Sequence, residues 1–583
     1  MIDRIRSFRP AVLTALATAV AVAIVGIISL LIVSPPMIKM LFSDPVSLAS
    51  EQMLAEILLE LTGVRCPAEP GWRFIACRFD WLGGIGAQLM ASPMMVVRLQ
   101  FIIAAIGAAS VLAFLDTYME TPYRETIKVL RGRRIAFDAY ATRALRNTIG
   151  RDQSLRDGLW LLPGVQLDRP SETRNILMVG TQGSGKTGLL RAYVEQLIER
   201  RDRLFVLDTK GDMAAGLPTD EFIFVAPHDA RSWALDIGRE LANSMLAREF
   251  AAKCIPVSEH EPMWTQAARA ILADLTMALR VRLGEAWGWE DLRDLALSSP
   301  SEIRQSLLNI NVRSAVLVTF GENPDENRTV LSILITLWVA VLTIIEPLAS
   351  VWAGVPTDRR FTIADWVKRG SRLPRTLVFQ KSADYPELSN LVGSFLAERV
   401  AAAALAPHRR GPNTERLAMI LDEFPEVSID RLPRLLALGR EMNVTTIATV
   451  QDLGQISLLL GRENASIVEA RFGIRIVLKL EPGDAVERIC SVWAGTRRIR
   501  RRRDATADEL AKGITKPTET VVEPVIASDF LTDDLGVFET SNGRVIRMMV
   551  TGFSTLAVLD VPLTIWPDRR PAHMPAAWTL TEQ

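Results

Sequence analysis

Short apolar runs rich in β-branched residues recur along the chain, and stretches with helical periodicity lie between them. The runs show no polar alternation, which is typical of parallel strands covered on both faces of a sheet. Their alternation with helices predicts an α/β fold with a doubly wound sheet. The predicted strands are Asn175–Val179, Leu204–Asp208, Phe222–Ala226, Thr376–Gln380, Leu417–Leu421, Val444–Gln451 and Phe472–Leu480.

One long region interrupts this alternation. From about residue 240 to residue 352 the pattern is helical throughout, so we predict an all-α domain inserted into the sheet domain. Its run Val330–Ile345 is strongly apolar, but a membrane crossing there would place the motifs before and after it in opposite compartments. We therefore predict a buried core helix.

Two further apolar runs near the start predict a membrane hairpin. Residues 11–34 carry no charge and exceed the ~20 residues that a spanning helix needs. A second span is predicted at 95–116, and the loop 35–94 between them holds few basic residues. Basic residues cluster before the first span and after the second, so both termini are predicted to be cytoplasmic. A cleaved signal peptide, whose apolar core is only about 7–15 residues, is the weaker interpretation.

Composition narrows the classes of protein. The chain of 583 residues has 67 basic and 67 acidic side chains, so its net charge gives no argument for a nucleic-acid partner. Four cysteines exclude a disulfide-rich secreted scaffold, and four histidines without a zinc motif disfavour zinc. Cys66 and Cys77 fall in the predicted external loop and are candidates for a disulfide. Cys254 and Cys490 are predicted to be ordinary thiols on the reducing side.

Arg497–Arg503 is the densest basic run in the chain. Two interpretations remain open: a solvated loop, or a loop that follows the phosphate backbone of a nucleic acid without sequence preference. No motif for the readout of specific bases is present.

The strand Asn175–Val179 runs into a glycine-rich segment and then into a helical pattern, which is the setting of a phosphate-binding loop. Glycines let backbone N–H groups wrap the phosphates, and the helix N-terminus adds positive potential. Lys186 is expected to reach the β- and γ-phosphates of ATP, and the Thr187 hydroxyl to bind Mg²⁺. The predicted nucleotide-binding residues are Gly180, Thr181, Gln182, Gly183, Ser184, Gly185, Lys186 and Thr187.

A second motif supplies acids. The run Leu417–Leu421 ends in Asp422 and Glu423, as in a Walker B strand. Asp422 is expected to hold Mg²⁺, and Glu423 to polarise the attacking water. Asp208, which ends an earlier strand, is the next candidate for the base.

The ordered set of motifs resembles the type IV secretion coupling proteins, the TraD/TraG-like ATPases of conjugation and effector export. The anchor and the segments GTQGSGKT, VLDTKGDM, FVAPHDARSWALD, ILDEFPEV, GREMNVTTIATVQD and ENASIVEARFGIRIVLKL carry the resemblance. Thr209 stands where the family usually has proline. The resemblance implies a hexameric RecA-like P-loop ATPase in which Gln451 senses the γ-phosphate and Arg440 is the arginine finger of a neighbouring subunit.

These inferences combine into one predicted function. The chain is expected to be a bacterial inner-membrane ATPase that delivers a single-stranded DNA–relaxase complex to a type IV secretion channel. Two alternatives remain: export of effector proteins without DNA, or a membrane recruitment scaffold whose nucleotide site is structural. An ABC transporter is disfavoured because no LSGGQ-like signature is present. The predicted domains are the anchor (1–125), the two parts of the nucleotide-binding domain (126–239 and 353–560), the all-α insertion (240–352) and a tail (561–583).

Overall fold

The structure, a computed structural model, describes residues 106–111, 127–149, 158–260, 262–318, 327–409, 414–502, 518–541 and 543–580. The first predicted span, the loop with Cys66 and Cys77, and most of the second span lie outside these ranges. Within the second span, residues 106–111 are helical. The chain divides into two compact units, residues 1–130 with 499–521 and residues 131–498 with 522–583.

The second unit contains a large mixed sheet and its covering helices. The strands of the described residues are β1 Ile127–Gly132, β2 Arg134–Phe137, β3 Trp160–Leu162, β4 Val165–Gln166, β5 Ile176–Val179, β6 Arg203–Asp208, β7 Phe222–Val225, β8 Ala234–Leu235, β9 Arg360–Phe361, β10 Thr376–Gln380, β11 Leu417–Leu421, β12 Val444–Val450, β13 Ile474–Val477, β14 Thr496–Arg502, β15 Thr518–Pro524, β16 Gly536–Thr540, β17 Gly543–Thr551 and β18 Thr555–Pro562.

The helices alternate with these strands. Those that the structure describes after residue 127 are α1 Asp138–Thr148, α2 Arg169–Glu172, α3 Lys186–Glu199, α4 Asp212–Gly216, α5 Ile237–Glu240, α6 Ser244–Cys254, α7 Pro262–Leu283, α8 Trp289–Ala296, α9 Pro300–Asn309, α10 Arg328–Ala340, α11 Glu346–Trp352, α12 Ile363–Val367, α13 Pro386–Ala404, α14 Leu432–Leu438, α15 Leu453–Leu460, α16 Arg462–Arg471, α17 Asp484–Arg488 and α18 Ser528–Asp533.

The large sheet has the strand order β2-β18-β17-β13-β5-β12-β11-β6-β10-β7, and β16 pairs with β17. From β13 to β7 all neighbouring strands are parallel. These are the seven predicted strands, so that prediction is confirmed. The antiparallel extension by β16, β17 and β18, and the edge strand β2, were not predicted. The parallel register brings the carboxyl ends of β5, β12, β11 and β6 to one edge.

Both faces of the parallel region are buried. Leu177 and Val179 of β5 point into one hydrophobic core, and Ile176 and Met178 point into the other. This alternation explains why the strands read as continuous apolar runs, since each face is covered by helices.

The predicted all-α insertion is present. Its helices lie between β8 and β9, which pair in parallel with Ala234 opposite Arg360. The two ends of the insertion therefore lie side by side, at the short pair formed by β8 and β9.

The apolar run within the insertion belongs to a long helix, Arg328–Trp352, which includes a π-helical turn at Val341–Ile345. In the described part of the chain it alone is long and apolar enough to cross a membrane, and 44% of its most apolar window is buried. The strands that follow it, β10 and β11, pair with β6, which precedes it. One face of the helix lies in the core, as predicted, and includes Val330, Leu334 and Leu337. The other face exposes apolar side chains, which was not predicted: Ile335, Val339 and Leu342.

The last described residues pack against the nucleotide-binding fold. Trp566 donates its indole N–H to Glu195 on α3 at 2.6 Å, and Trp578 donates to the carbonyl of Pro227 at 2.8 Å. Leu563 lies so close to α3 that a Cβ added at Gly188 would come within 2.4 Å of its Cδ1 atom. The predicted tail is therefore an integral part of this unit.

The arginine run is a strand rather than a loop, which corrects both interpretations of its local structure. It forms β14, in a small sheet of order β1-β14-β15. Arg497 pairs with Glu523 of β15 at 2.7 Å, and Arg501 pairs with Glu519 at 2.6 Å. Two arginines of the run thus pair with neighbouring carboxylates, although Arg501 is also exposed, as are Arg498 and Arg500.

Candidate nucleotide-binding site

The phosphate-binding loop follows β5 at the carboxyl edge of the sheet. Its start is fixed by the two neighbouring strands, since Gly180 N–H donates to the carbonyl of Val450 at 3.2 Å and Thr181 N–H donates to that of Lys479 at 2.8 Å. Gly183 and Gly185 adopt φ values of 76° and 103°, a region that favours glycine. The chain then turns directly into α3, whose N-terminus faces the loop and favours an anion.

Lys186 lies inside this loop and is only 4% exposed. Its ammonium donates to the carbonyls of Gly180 and Thr181, the second at 2.9 Å. Burial, together with the nearby charge of Lys210, lowers the pKa of Lys186 to about 8. A phosphate entering the loop would offer this ammonium a charged acceptor, which forms stronger hydrogen bonds than a neutral carbonyl.

Asp422 follows β11 and is fully buried. Its Oδ1 atom accepts a hydrogen bond from the Thr449 hydroxyl at 2.9 Å, and the same hydroxyl accepts the N–H of Glu423 at 2.8 Å. Thr449, on the adjacent β12, therefore orients both acids. The Oδ2 atom of Asp422 is buried and has no hydrogen-bond partner among the described residues. Burial raises the pKa of Asp422 above its usual value.

Glu423 occupies a backbone conformation that is uncommon for a residue with a side chain, with φ 49° and ψ 56°. Such left-handed positions cost about 1–3 kcal/mol and cluster at functional sites. The Oε1 atom accepts from the Gln451 amide at 2.6 Å and lies 3.0 Å from the Lys210 ammonium. Burial alone would raise the pKa of Glu423, but these two donors hold it below its usual value. The site therefore contains a charged carboxylate held by two donors.

Asp208, at the end of β6, has a structural task. Its carboxylate accepts the backbone N–H groups of Gly211 at 2.9 Å and of Met213 and Ala214 at 3.1 Å. Burial and the neighbouring Asp212 raise its pKa to about 7. Asp208 thus fixes the turn that carries Lys210 and has both oxygens engaged.

Arg440 is not brought into this site. It is exposed in the turn Gly439–Met442, immediately before β12, whereas Gln451 follows the end of β12. The seven residues of β12 span about 23 Å at ~3.3 Å per residue. Arg440 therefore lies at the opposite edge of the sheet from the loop of its own chain.

The residues present fit a magnesium ion. The unpartnered, buried Oδ2 atom of Asp422 is an oxygen ligand of the kind that Mg²⁺ prefers, and Thr187, the second residue of α3, carries a hydroxyl directly after the phosphate-binding loop. No group of three or more His, Cys, Asp or Glu in the described ranges could hold a metal. Mg²⁺ usually keeps only one or two carboxylates and takes its other ligands from water and phosphates.

Sequence reasoning missed two residues of the site, Thr449 and Lys210. Thr449 is a polar side chain at a buried position of an apolar strand, which is a weak signal. Lys210 sits in the turn after β6, and nothing in its local sequence shows that it faces Glu423. The structure brings together the loop, Asp422, Glu423 and Gln451.

Known proteins share this sequence pattern and fold. Residues 160–549 match the family model described as the type IV secretion-system coupling protein DNA-binding domain. The chain is 23% identical over 328 residues to coupling protein TraD of Escherichia coli (strain K12), an alignment that covers 54% of this chain and 42% of TraD. The match thus spans less than half of that relative's length.

Solved structures show the same fold. The unbound monoclinic form of the bacterial conjugative coupling protein TrwBdeltaN70 superposes with a TM-score of 0.61 at 19% identity and covers 77% of this chain and 97% of its own. Plasmid coupling protein TrwB in complex with ADP and Mg²⁺ gives a TM-score of 0.58 at 19% identity, with 77% and 98% covered.

Proposed function

Since this chain belongs to the type IV secretion-system coupling protein family, we propose that it is a membrane-anchored ATPase that drives a substrate into a type IV secretion channel. The observation that carries the proposal is the meeting of Lys186, Asp422, Glu423 and Gln451 at one edge of the sheet. TrwB, which shares the fold, has been solved with ADP and Mg²⁺ and with a non-hydrolysable ATP analogue. We therefore propose ATP and Mg²⁺ as the ligands of this site.

Each residue has a definite task in hydrolysis. Lys186 and the N-terminus of α3 bind the phosphates and orient the γ-phosphoryl group. Asp422 and Thr187 would hold Mg²⁺, which when bound neutralises charge on the phosphate oxygens. Glu423 polarises the attacking water and accepts its proton at the carboxylate, which the Gln451 amide orients through Oε1.

The assembly and the substrate complete the proposal. Because Arg440 lies far from the nucleotide of its own chain, we propose that it reaches the site of a neighbouring subunit in a homo-hexamer. The substrate is single-stranded DNA with its attached relaxase, and the partners are the proteins of the secretion channel. The anchor holds the complex in the bacterial inner membrane with both termini in the cytoplasm.

The decisive experiment measures ATP turnover of the full chain with and without single-stranded DNA. We expect hydrolysis that DNA stimulates. Lys186→Ala should abolish most nucleotide binding, because it removes the positive charge that contacts the phosphates. Turnover without any response to DNA would favour export of effector proteins. Tight ATP binding without turnover would favour the scaffold with a structural nucleotide site.

The two sets of arginines on β14 make a matched comparison for DNA binding. Replacing the exposed Arg498 and Arg500 with glutamine should lower the slope of log affinity against log salt by about 1.4, at ~0.7 per lost phosphate contact. The control variant replaces Arg497 and Arg501, which already pair with glutamates. Binding of a labelled oligonucleotide across a salt series measures both slopes, and an unchanged slope in the first variant would remove this strand from the DNA interface.

A further inference from the structure

Lys210 is the one cation that contacts the proposed base in the described part of the site. We propose that Lys210 senses the γ-phosphate: it holds Glu423 when ATP is absent and moves to the phosphate when ATP binds. This inference rests on the proposed ATPase function and concerns how the same site distinguishes ATP from ADP.

The contact geometry describes the ATP-free arrangement. The Lys210 ammonium lies 3.0 Å from Oε1 of Glu423, the same oxygen that accepts from the Gln451 amide at 2.6 Å. Two donors on Oε1 draw negative charge from the whole carboxylate and compete with water for it. Glu423 is therefore better able to polarise water once Lys210 has left.

Lys210 is the donor that can leave. Its side chain is 34% exposed, whereas that of Glu423 is 9% exposed. Its backbone is fixed, because Asp208 accepts the N–H of Gly211 at 2.9 Å and a Cβ added at Gly211 would lie 2.4 Å from the Gln380 amide. Motion is thus confined to the lysine side chain, whose four-carbon stem is flexible.

Electrostatic attraction favours movement of the Lys210 ammonium from Glu423 to the γ-phosphate. Lys210 and Lys186 lie close enough to affect each other, and together they balance Asp422 and Glu423. ATP brings a γ-phosphate with more negative charge than a single carboxylate, so it offers Lys210 the stronger partner. ADP has no γ-phosphate and leaves Lys210 on Glu423. The lysine therefore links release of the base to the presence of the phosphate to be cleaved.

The test compares nucleotide affinities of the full chain with Mg²⁺, using a non-hydrolysable ATP analogue and ADP as probes. Lys210→Ala should weaken binding of the analogue about 10- to 100-fold, the worth of one hydrogen bond between charged groups. ADP binding should change less than about threefold, since ADP lacks that partner. Lys210→Arg keeps the charge and should restore much of the discrimination.

The control is Lys381→Ala. Lys381 also pairs with a glutamate at this edge of the sheet, Glu426 at 2.7 Å. The backbone N–H of Glu426 donates to the carbonyl of Glu423 at 2.9 Å, and Lys381→Ala leaves that bond in place. This substitution should leave both affinities unchanged. Equal losses for the two nucleotides in Lys210→Ala, or no loss for either, would overturn the sensing role while the parental ATPase activity stands. A parental chain that binds neither nucleotide would overturn the proposed function as well.

Discussion

Replacing Arg440 with alanine should leave ATP binding nearly intact and lower ATP turnover by about 10³–10⁵-fold, the typical worth of an arginine finger. The reason is positional. Arg440 is exposed at the amino end of β12, about 23 Å from the nucleotide edge of its own chain at ~3.3 Å per residue. It can meet charge that develops on a γ-phosphate only in another subunit. Steady-state turnover and equilibrium binding measure the two effects separately.

Mixed assemblies make this test specific. In the hexamer proposed above, assemblies that combine Arg440→Ala subunits with Glu423→Gln subunits should recover part of the activity, since some interfaces then hold one intact Glu423 and one intact Arg440. Turnover that stays absent in assemblies shown to be mixed would mean that Arg440 acts within its own chain or only supports the fold.

Glu423→Gln should keep nucleotide affinity within a few-fold of the parental chain and reduce turnover by about 10²–10⁴-fold, the usual contribution of a positioned general base. Glutamine can still accept from the Gln451 amide, but it cannot take a proton from water. The matched control is Glu426→Gln, three residues further on, whose side chain is 47% exposed and pairs with Lys381. Rapid-quench measurement of a single turnover isolates the chemical step.

Parental turnover in Glu423→Gln would require another base. Asp208 is then the next residue in line by sequence, but its oxygens accept three backbone N–H groups. Asp208→Asn would replace one of these acceptors with a donor. The Asp208→Asn substitution should therefore destabilise the turn that carries Lys210, and a lower melting temperature would show this loss of stability.

The parallel half of the sheet was predictable because its strands are buried on both faces. The observed ends of Thr376–Gln380 and Leu417–Leu421 equal the predicted ones. In a strand that is buried on both faces, the change from apolar to polar residues marks each end. The antiparallel strands had no such pattern. β16 and the start of β17 are partly exposed, and β2 pairs with β18, which is more than 400 residues away in the chain.

The residues of the site likewise divide into those that local sequence predicts and those that depend on contacts between strands. The phosphate loop, Asp422 and Glu423 are adjacent in sequence to a strand end, so local pattern was enough to find them. Thr449 and Lys210 act through contacts between strands, and these depend on the register that places β12 beside β11 and β11 beside β6. The glutamates that pair with Arg497 and Arg501 lie on β15, and their pairing with the arginine run likewise could not be seen in that run alone.

The pairing of β2 with β18 has a consequence for biosynthesis. Arg134 of β2 lies opposite Thr555 of β18. At about 5–20 residues per second, a ribosome needs roughly 20–80 s to make the chain between them. Throughout that time β2 has been translated and its partner strand does not exist, so its backbone N–H and C=O groups can pair with strands of other nascent chains. Production of this protein should accordingly depend on chaperones that hold the early segments until translation ends.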